Sequence, residues 1–93
     1  MRFRFQVVVS LKEGLLDPQG KAVESSLPAM GWKNVSQVRV GKHIDLIVEA
    51  ESEEAAVSQV ADMAERLLSN PVIENYLITF VAAAEGLTFE ASP

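Results

Sequence analysis

His43, the single histidine of the chain, is followed two residues later by Asp45, and such a pair could serve as a general acid or base or contribute metal ligands. No second histidine and no cysteine accompanies it, so neither a thiolate metal site nor a thiol nucleophile can be assembled. We therefore interpret His43 as an exposed structural residue of a strand.

Two other motifs suggest chemistry but fail on their details. The glycines of Gly14 to Gly20-Lys21 are separated by five residues, whereas a phosphate-binding loop has four, and Ala22 stands where Ser or Thr would hold magnesium. Glu51, Glu53 and Glu54 could coordinate a cation, but acidic residues are equally favoured at the positive end of a helix dipole. We expect no catalytic, cofactor-binding or metal-binding residue in this chain.

The composition indicates one small domain. The 93 residues carry eight basic and thirteen acidic side chains, which leave a net charge of −5, so nucleic acid and anionic lipid are disfavoured partners. No signal peptide or apolar run of membrane-spanning length is present, and we expect a cytoplasmic location.

Periodicity predicts alternating strands and helices. Phe3, Phe5, Val7, Val9 and Leu11 alternate as in a half-buried strand. A first helix should begin at Pro18 with Asp17 as N-cap and run towards Met30, with a kink or an early stop caused by Pro28.

The second half of the chain continues the alternation. Gly41 suits a type II′ turn between strands 38–40 and 44–48. A second helix follows Ser52, ends at Asn70-Pro71 and presents an apolar stripe of Val57, Val60, Ala61, Ala64, Leu67 and Leu68. A last strand runs from Val72 to about Val81.

This order predicts an α+β fold, a β-α-β-β-α-β two-layer sandwich in which an antiparallel four-stranded sheet carries two helices on one face. We place a single domain at residues 1–82 and a loosely ordered C-terminal tail at 83–93.

The predicted strands are apolar at both parities, so one sheet face would remain uncovered by the helices. We therefore predict a homo-oligomer, formed through that face or by strand addition at an edge. The candidates for the oligomer face are Val8, Ile47, Tyr76, Ile78 and Phe80.

An ordered set of motifs resembles the PurS family, the small subunits of phosphoribosylformylglycinamidine (FGAM) synthase in purine biosynthesis. The set covers residues 3 to about 78, although Pro28 and the residues after Glu85 do not match the family pattern. The residues that carry the resemblance are Asp17-Pro18-Gln19-Gly20-Lys21-Ala22-Val23, Gly31-Trp32, Val38-Arg39-Val40-Gly41-Lys42 and Leu67-Leu68-Ser69-Asn70-Pro71-Val72-Ile73-Glu74-Asn75-Tyr76.

The resemblance implies a non-catalytic subunit of a glutamine-dependent, ATP-consuming ligase. Such a subunit bridges a synthetase subunit, which binds ATP and Mg, and a glutaminase subunit, and it supports ammonia transfer between them. The chain itself would bind no cofactor. The resemblance places partner contacts around two segments, with the candidates Asp17, Gln19, Lys21, Arg39 and Lys42.

Other classes remain as alternatives. Domains of this topology also pair to bind small regulatory molecules, and this is the main alternative. An acylphosphatase-type enzyme is disfavoured because the loop at residues 10–14 lacks an arginine to bind phosphate. An RNA-binding sheet is disfavoured by the charge and by strand aromatics without basic neighbours.

Overall fold

The computed structural model describes residues 1–89 and contains three strands and two helices. The elements in chain order are β1 (Arg2–Leu11), α1 (Pro18–Ser26), a 3-10 turn (Pro28–Met30), β2 (Lys42–Glu49), α2 (Glu53–Met63), a π-helical turn (Ala64–Leu68) and β3 (Glu74–Ala84). The strands form one sheet in the order β2-β1-β3, and β1 is antiparallel to both neighbours. The predicted α+β class is confirmed.

The core lies between the central strand and α2. The alternating residues Phe3, Phe5, Val7 and Val9 of β1 are buried, as their period of two predicts. Small residues on α2, Ala56 and Val60, and Ala64 just beyond it, are also buried and let the helix approach the strands closely.

The sheet has three strands in the described residues, so the prediction of a fourth strand was wrong. Residues 38–40 run directly into β2 without a hairpin, and they are not paired in the sheet. Acidic side chains take up their backbone donors: the N–H of Val38 donates to Glu24 and that of Val40 donates to Asp17. These hydrogen bonds replace the strand ladder that the sequence predicted.

Only one of the two predicted helices covers the sheet. α2 packs across all three strands. α1 instead packs mainly against the 3-10 turn that follows it. The Cα radius of gyration is accordingly 17.0 Å, whereas a compact fold of this length has ~12 Å. We call residues 12–41 the arm.

Within the arm, α1 ends where the sequence predicts. The helix begins after the N-cap Asp17 and stops at Ser26, two residues before Pro28, which opens the 3-10 turn. Gly31 then adopts the left-handed conformation, with φ of 106°. Leu16, Met30 and Trp32 are exposed on this arm, at 77%, 67% and 52%.

The last strand starts and ends later than predicted. Residues 70–73 form a turn in which the N–H groups of Ile73 and Glu74 donate to the Asn70 carbonyl, so β3 begins at Glu74. It continues to Ala84, beyond the predicted domain limit at 82. The end of the predicted tail, residues 90–93, lies outside the described residues.

Gly41 is required because a side chain would not fit there, and not because of its backbone angle. Its φ is not in the left-handed region, so the predicted type II′ turn is absent. A Cβ at this position would lie 2.6 Å from the carbonyl oxygen of Val9, where β1 pairs with the start of β2.

We expect Gly41→Ala to lower the free energy of unfolding by about 1–3 kcal/mol, because the added methyl pushes β2 away from β1. Thermal and urea unfolding measure this change. Gly86→Ala is the matched control, since a Cβ there meets no atom within 4 Å. Equal stabilities for the two variants would contradict the close approach.

Candidate functional site

A buried carboxylate holds the arm together. Asp17 is 5% exposed, and its Oδ1 accepts a hydrogen bond from the Gly20 N–H at 2.8 Å, which caps α1. Its Oδ2 accepts from the Val40 N–H at 2.7 Å. Asp17 therefore joins the start of α1 to the extended segment that precedes β2.

A second carboxylate, about two turns further along α1, makes a similar contact. Glu24 Oε1 accepts a hydrogen bond from the Val38 N–H at 3.1 Å, and Lys21 Nζ lies 3.6 Å from Glu24 Oε2. Gly20 lies between the two carboxylates, and a Cβ there would collide with the Val38 carbonyl oxygen. Because Gly20 has no side chain, α1 and the extended segment at residues 38–40 can lie in direct contact.

Both carboxylates are more acidic than usual. The backbone N–H of Gly20, followed by that of Val40, lowers the pKa of Asp17. The Val38 N–H is the main cause that lowers the pKa of Glu24, and Lys21 contributes. Each hydrogen bond stabilises the charged form, so the two groups hold the arm while ionised.

Arg39 fixes the loop that leads into α1. Its guanidinium donates to the carbonyl oxygens of Leu15, at 2.8 Å, and Lys12, at 3.3 Å. A groove of about 750 Å³ opens between this loop, α1 and residues 37–39. Its charged lining comprises Glu13, Asp17, Lys21, Glu24 and Arg39.

The five predicted partner-contact residues gather around Asp17. Asp17, Lys21 and Arg39 line this groove, while Gln19 and Lys42 line an adjoining pocket that also includes Asp17. Asp17 and Arg39 are engaged by backbone groups, and Lys42 Nζ donates to the Leu68 carbonyl at 3.4 Å. Within residues 1–89, the side chains of Gln19 and Lys21 make no hydrogen bond to the backbone. Contact of these residues with a partner remains a prediction.

A second surface is the side of the sheet opposite α2, which we call the outer face. Register places its residues in four rows across β2, β1 and β3. The rows are His43–Val8–Leu77, Asp45–Gln6–Thr79, Ile47–Arg4–Ala82 and Glu49–Arg2–Ala84. Val8 and Leu77 are 41% and 65% exposed, so an apolar patch marks one end of this face.

The predicted oligomer-face residues divide between the two sides of the sheet. Val8 and Ile47 lie on the outer face, as expected. The three residues of the last strand lie on the α2 side instead, because they pair in register with buried β1 residues. These pairs are Tyr76 with Val9, Ile78 with Val7 and Phe80 with Phe5.

Leu77, at 65%, is the most exposed large apolar residue of β3, and it is not among the predicted oligomer-face residues. Tyr76, Leu77 and Ile78 are consecutive apolar residues, and their sequence does not show which parity faces the helix. On the α2 side, a hydrogen bond to the Glu65 carboxylate raises the pKa of Tyr76.

His43 lies on the outer face beside charged neighbours. Its Nε2 lies 3.4 Å from Asp45 Oδ2, and Asp45 Oδ1 also receives the guanidinium of Arg4 at 3.4 Å. Among residues 1–89 no group of three or more His, Asp or Glu side chains is arranged to hold a metal ion. The same residues contain no helix long and apolar enough to cross a bilayer.

These features define a small α+β protein with one helix across a three-stranded sheet and exposed apolar surface on both the arm and the outer face. The family model described as PurS, phosphoribosylformylglycinamidine (FGAM) synthase, matches residues 4–82. The chain belongs to the PurS family.

Relatives from several organisms support this assignment. The PurS subunit of Synechocystis is 42% identical over 92% of this chain and 86% of its own length, and that of Bacillus subtilis is 45% identical over 80% and 87%. Among solved structures, a Thermotoga maritima structure described as PurLQS superposes with a TM-score of 0.80 at 36% identity, covering 87% of this chain and 99% of that one. The Methanocaldococcus jannaschii PurS, described as one of the subunits of formylglycinamide ribonucleotide amidotransferase in the purine biosynthetic pathway, gives 0.76 at 34% identity over 88% and 99%.

The Asp17 carboxylate yields a prediction for acid stability. Because its pKa is lower in the folded than in the unfolded chain, its contribution to stability is present above the ordinary aspartate pKa of 3.8 and is lost as pH falls through the folded pKa. We expect Asp17→Asn to lower the melting temperature at pH 7 by roughly 4–8 °C, because the amide keeps one acceptor oxygen for the helix cap but leaves the Val40 N–H without its acceptor.

The same variant should also flatten the fall in melting temperature below about pH 4, because one of the titrating groups is gone. Asp62→Asn is the control, since Asp62 is exposed and pairs with Arg66 in the π-helical turn that follows α2. A variant at Asp17 that melts like wild type at every pH would rule out the carboxylate contact.

Proposed function

We propose that this chain is a non-catalytic assembly subunit of a cytoplasmic FGAM synthase, which bridges the synthetase and glutaminase subunits and supports ammonia transfer from glutamine. The observation that carries the proposal is membership of the PurS family across residues 4–82. The superposition on a chain of the Thermotoga maritima PurLQS structure, at a TM-score of 0.80, supports placement in a complex with two other subunits.

The chemistry of the chain supports a division of labour. A glutaminase of this kind uses a cysteine nucleophile activated by a histidine, and the sequence contains no cysteine. In the proposed complex the glutaminase subunit supplies that nucleophile, and the synthetase subunit binds ATP and Mg. This chain contributes the surfaces that the other two subunits contact.

The exposed apolar side chains support a role in contacts. The arm exposes Leu16, Met30 and Trp32, whose burial against a partner would be favourable in proportion to the apolar area removed from water. The Asp17 and Glu24 hydrogen bonds hold this surface in place before a partner arrives. An ordered surface loses less conformational entropy on binding than a loose one.

Self-association through the outer face is the second part of the proposal. Val8 and Leu77 are adjacent in register and exposed together, and no helix covers them. A second copy that packs its own outer face against this one would bury both patches. Such an isologous contact is the commonest arrangement of homodimers.

Reconstitution tests the assembly role. Synthetase and glutaminase subunits are mixed with and without this chain, and turnover is measured with glutamine and, separately, with ammonia. We expect the chain to raise the glutamine-dependent rate at least tenfold and to leave the ammonia-dependent rate nearly unchanged, because free ammonia needs no transfer between subunits. Equal glutamine-dependent rates with and without the chain would exclude the role.

Val8→Asp tests the outer face. An unpaired carboxylate buried between two sheets is costly, so we expect self-association to weaken by at least about tenfold. Sedimentation equilibrium measures the association constant. Val72→Asp provides the control, because Val72 is 81% exposed in the turn before β3. If both variants associate like wild type, the contact lies elsewhere.

A further inference from the structure

The sheet has two free edges, and their side chains differ. β1 pairs with β2 on one side and with β3 on the other, so β2 and β3 each have one side without a neighbouring strand among residues 1–89. An unpaired strand edge presents N–H and C=O groups that can pair with another extended chain. Strand addition at an edge is one of the two routes to a homo-oligomer that the sequence predicts, and the two edges are not equally suited to it.

The β2 edge is protected by charge. Ionisable side chains occupy four of its eight positions, at Lys42, His43, Asp45 and Glu49. None of its large apolar side chains is exposed. Charged side chains on an edge strand oppose pairing with another chain, so we expect no strand addition at β2.

The β3 edge lacks this protection. Residues 75–84 contain no charged side chain and no proline. Leu77 is 65% exposed on the outer face, and Phe80 is 41% exposed on the α2 side. Apolar surface is therefore exposed on both sides of the sheet beside this edge, as expected where a sheet continues into a further strand.

The backbone of β3 also has hydrogen-bonding groups to spare. In an antiparallel pair, every second residue directs its N–H and C=O away from its neighbour. Among residues 1–89, the stretch 75–83 takes part in no backbone hydrogen bond outside the ladder with β1. The segment that follows β3 turns towards β1 instead, where the Leu87 carbonyl accepts from Arg2 and the Phe89 ring lies 4.9 Å from the guanidinium carbon of Arg4.

A bulge limits the length of β3 that can pair regularly. Residues 74–80 pair with β1 without interruption, and the register shifts between Phe80 and Ala82. A bulge bends and twists a strand, so regular pairing with a further strand is confined to residues 74–80. Leu77 is the middle residue of that segment and its most exposed large apolar side chain.

We propose that residues 74–80 of β3 pair antiparallel with the same residues of a second copy, so that two three-stranded sheets join into one six-stranded sheet. A two-fold axis at Leu77 relates the copies, because this residue is the middle of the segment. The isologous contact satisfies both free β3 edges at once. It uses the edge of the sheet and not the outer face, so it goes beyond the self-association proposed above and does not depend on it.

The side chains are compatible with this pairing. Each pair of opposed residues lies on the same side of the sheet, because the two positions differ by an even number. Glu74, the one charged residue of the segment, lies opposite Phe80, so no two like charges meet. The remaining pairs are Asn75 with Thr79, Tyr76 with Ile78 and Leu77 with its own counterpart.

A second copy is the occupant because β3 is itself the strand that this edge requires. It is extended, and residues 75–84 carry no charge. The exposed parts of Leu77 and Phe80 in each copy would be covered by the other copy, on opposite sides of the sheet. The joined sheet would have a β2 edge at each end, and these charged edges oppose further addition. Pairing through β3 therefore produces a closed dimer and not a fibre.

An introduced cysteine tests the pairing, because the chain has none of its own. Opposed residues of adjacent antiparallel strands have Cα atoms about 4.5–5.5 Å apart, which a disulfide can span. We expect Leu77→Cys to form a disulfide-linked dimer under mild oxidation at least about tenfold faster than Val72→Cys, because paired thiols have a high effective concentration. Val72 is 81% exposed in the turn before β3 and controls for random collision. Equal rates for the two variants overturn the proposal.

Leu77 also belongs to the outer face, so a second variant separates the two contacts. In the edge pairing the Val8 residues of the two copies are three strand spacings apart, or roughly 14 Å. Val8→Asp therefore weakens an outer-face contact and leaves the edge intact. We expect the double variant Val8→Asp, Leu77→Cys to cross-link nearly as fast as Leu77→Cys alone. Loss of cross-linking in the double variant would show that the two cysteines meet through the outer face, and the edge pairing would be wrong.

Hydrogen exchange of the unmodified chain gives an independent measurement. We expect every second amide of residues 74–80 to exchange at least about tenfold more slowly in the associated chain, because new backbone hydrogen bonds protect these groups. The outward-facing amides of β2 should keep their rates and serve as the internal control. Exchange in β3 that does not depend on protein concentration contradicts the pairing. So does protection that appears only after the synthetase and glutaminase subunits are added, since the edge would then belong to another subunit. Neither failure alters the reconstitution result, which tests the assembly role separately.

Discussion

The structure depends on incomplete burial of the sheet: one helix packs on a sheet that has apolar residues on both sides. The inner residues Phe5 and Val7 are fully buried beneath α2, while Val8, between Val7 and Val9 on the same strand, projects from the opposite side and is exposed. In many α+β domains a second helix shares the covering layer. Here α1 is held away from the sheet, so neither the sheet nor the arm completes its own burial. Domains of this length bury a limited fraction of their surface even when compact, so contact with another chain adds stability that the core alone supplies only in part.

The position of the arm follows from the two oxygens of Asp17. One oxygen caps α1, which is a local role, and the other accepts the N–H of Val40, which is 23 residues away in sequence. Because Val38 and Val40 donate to side chains of the arm, they are not available to a neighbouring strand on that side. The same hydrogen bonds that order the arm therefore occupy the backbone donors that a neighbouring strand would need on that edge. Gly20 makes this possible, since any side chain there would meet the Val38 carbonyl.

Local signals in the sequence predicted local structure well. The alternation in β1, the N-cap at Asp17, the effect of Pro28 and the left-handed Gly31 all involve residues within one turn or strand, and all are found in the structure. The features that were missed depend on distant partners or on a change of period. The sequence did not show which residues of β3 face α2. The residues around Leu77 are consecutively apolar, and β3 has a bulge opposite Arg4 and Phe5. The π-helical turn at 64–68 alters the spacing of the second helix, so Leu67, which helical periodicity placed on the apolar stripe, is 82% exposed. The partner-contact candidates around Asp17 were selected through family resemblance, and the long-range hydrogen bonds from Val38 and Val40 could not be derived from spacing.

A flat shape connects these features with the proposed role. The chain spans 51 × 38 × 17 Å along its principal axes, so its smallest dimension is little more than a sheet and one layer of helix. A slab of this kind has two broad sides and can contact different neighbours at once, whereas a sphere of equal volume offers each neighbour less area. The arm and the outer face differ in character: the first combines apolar side chains with a charged groove, and the second alternates Val8 and Leu77 with paired charges such as Arg4 and Asp45. Surfaces that differ in this way favour different partners, because a charge pattern suited to one opposes the other. In the proposed complex, a subunit with two such surfaces would hold its neighbours in a fixed arrangement.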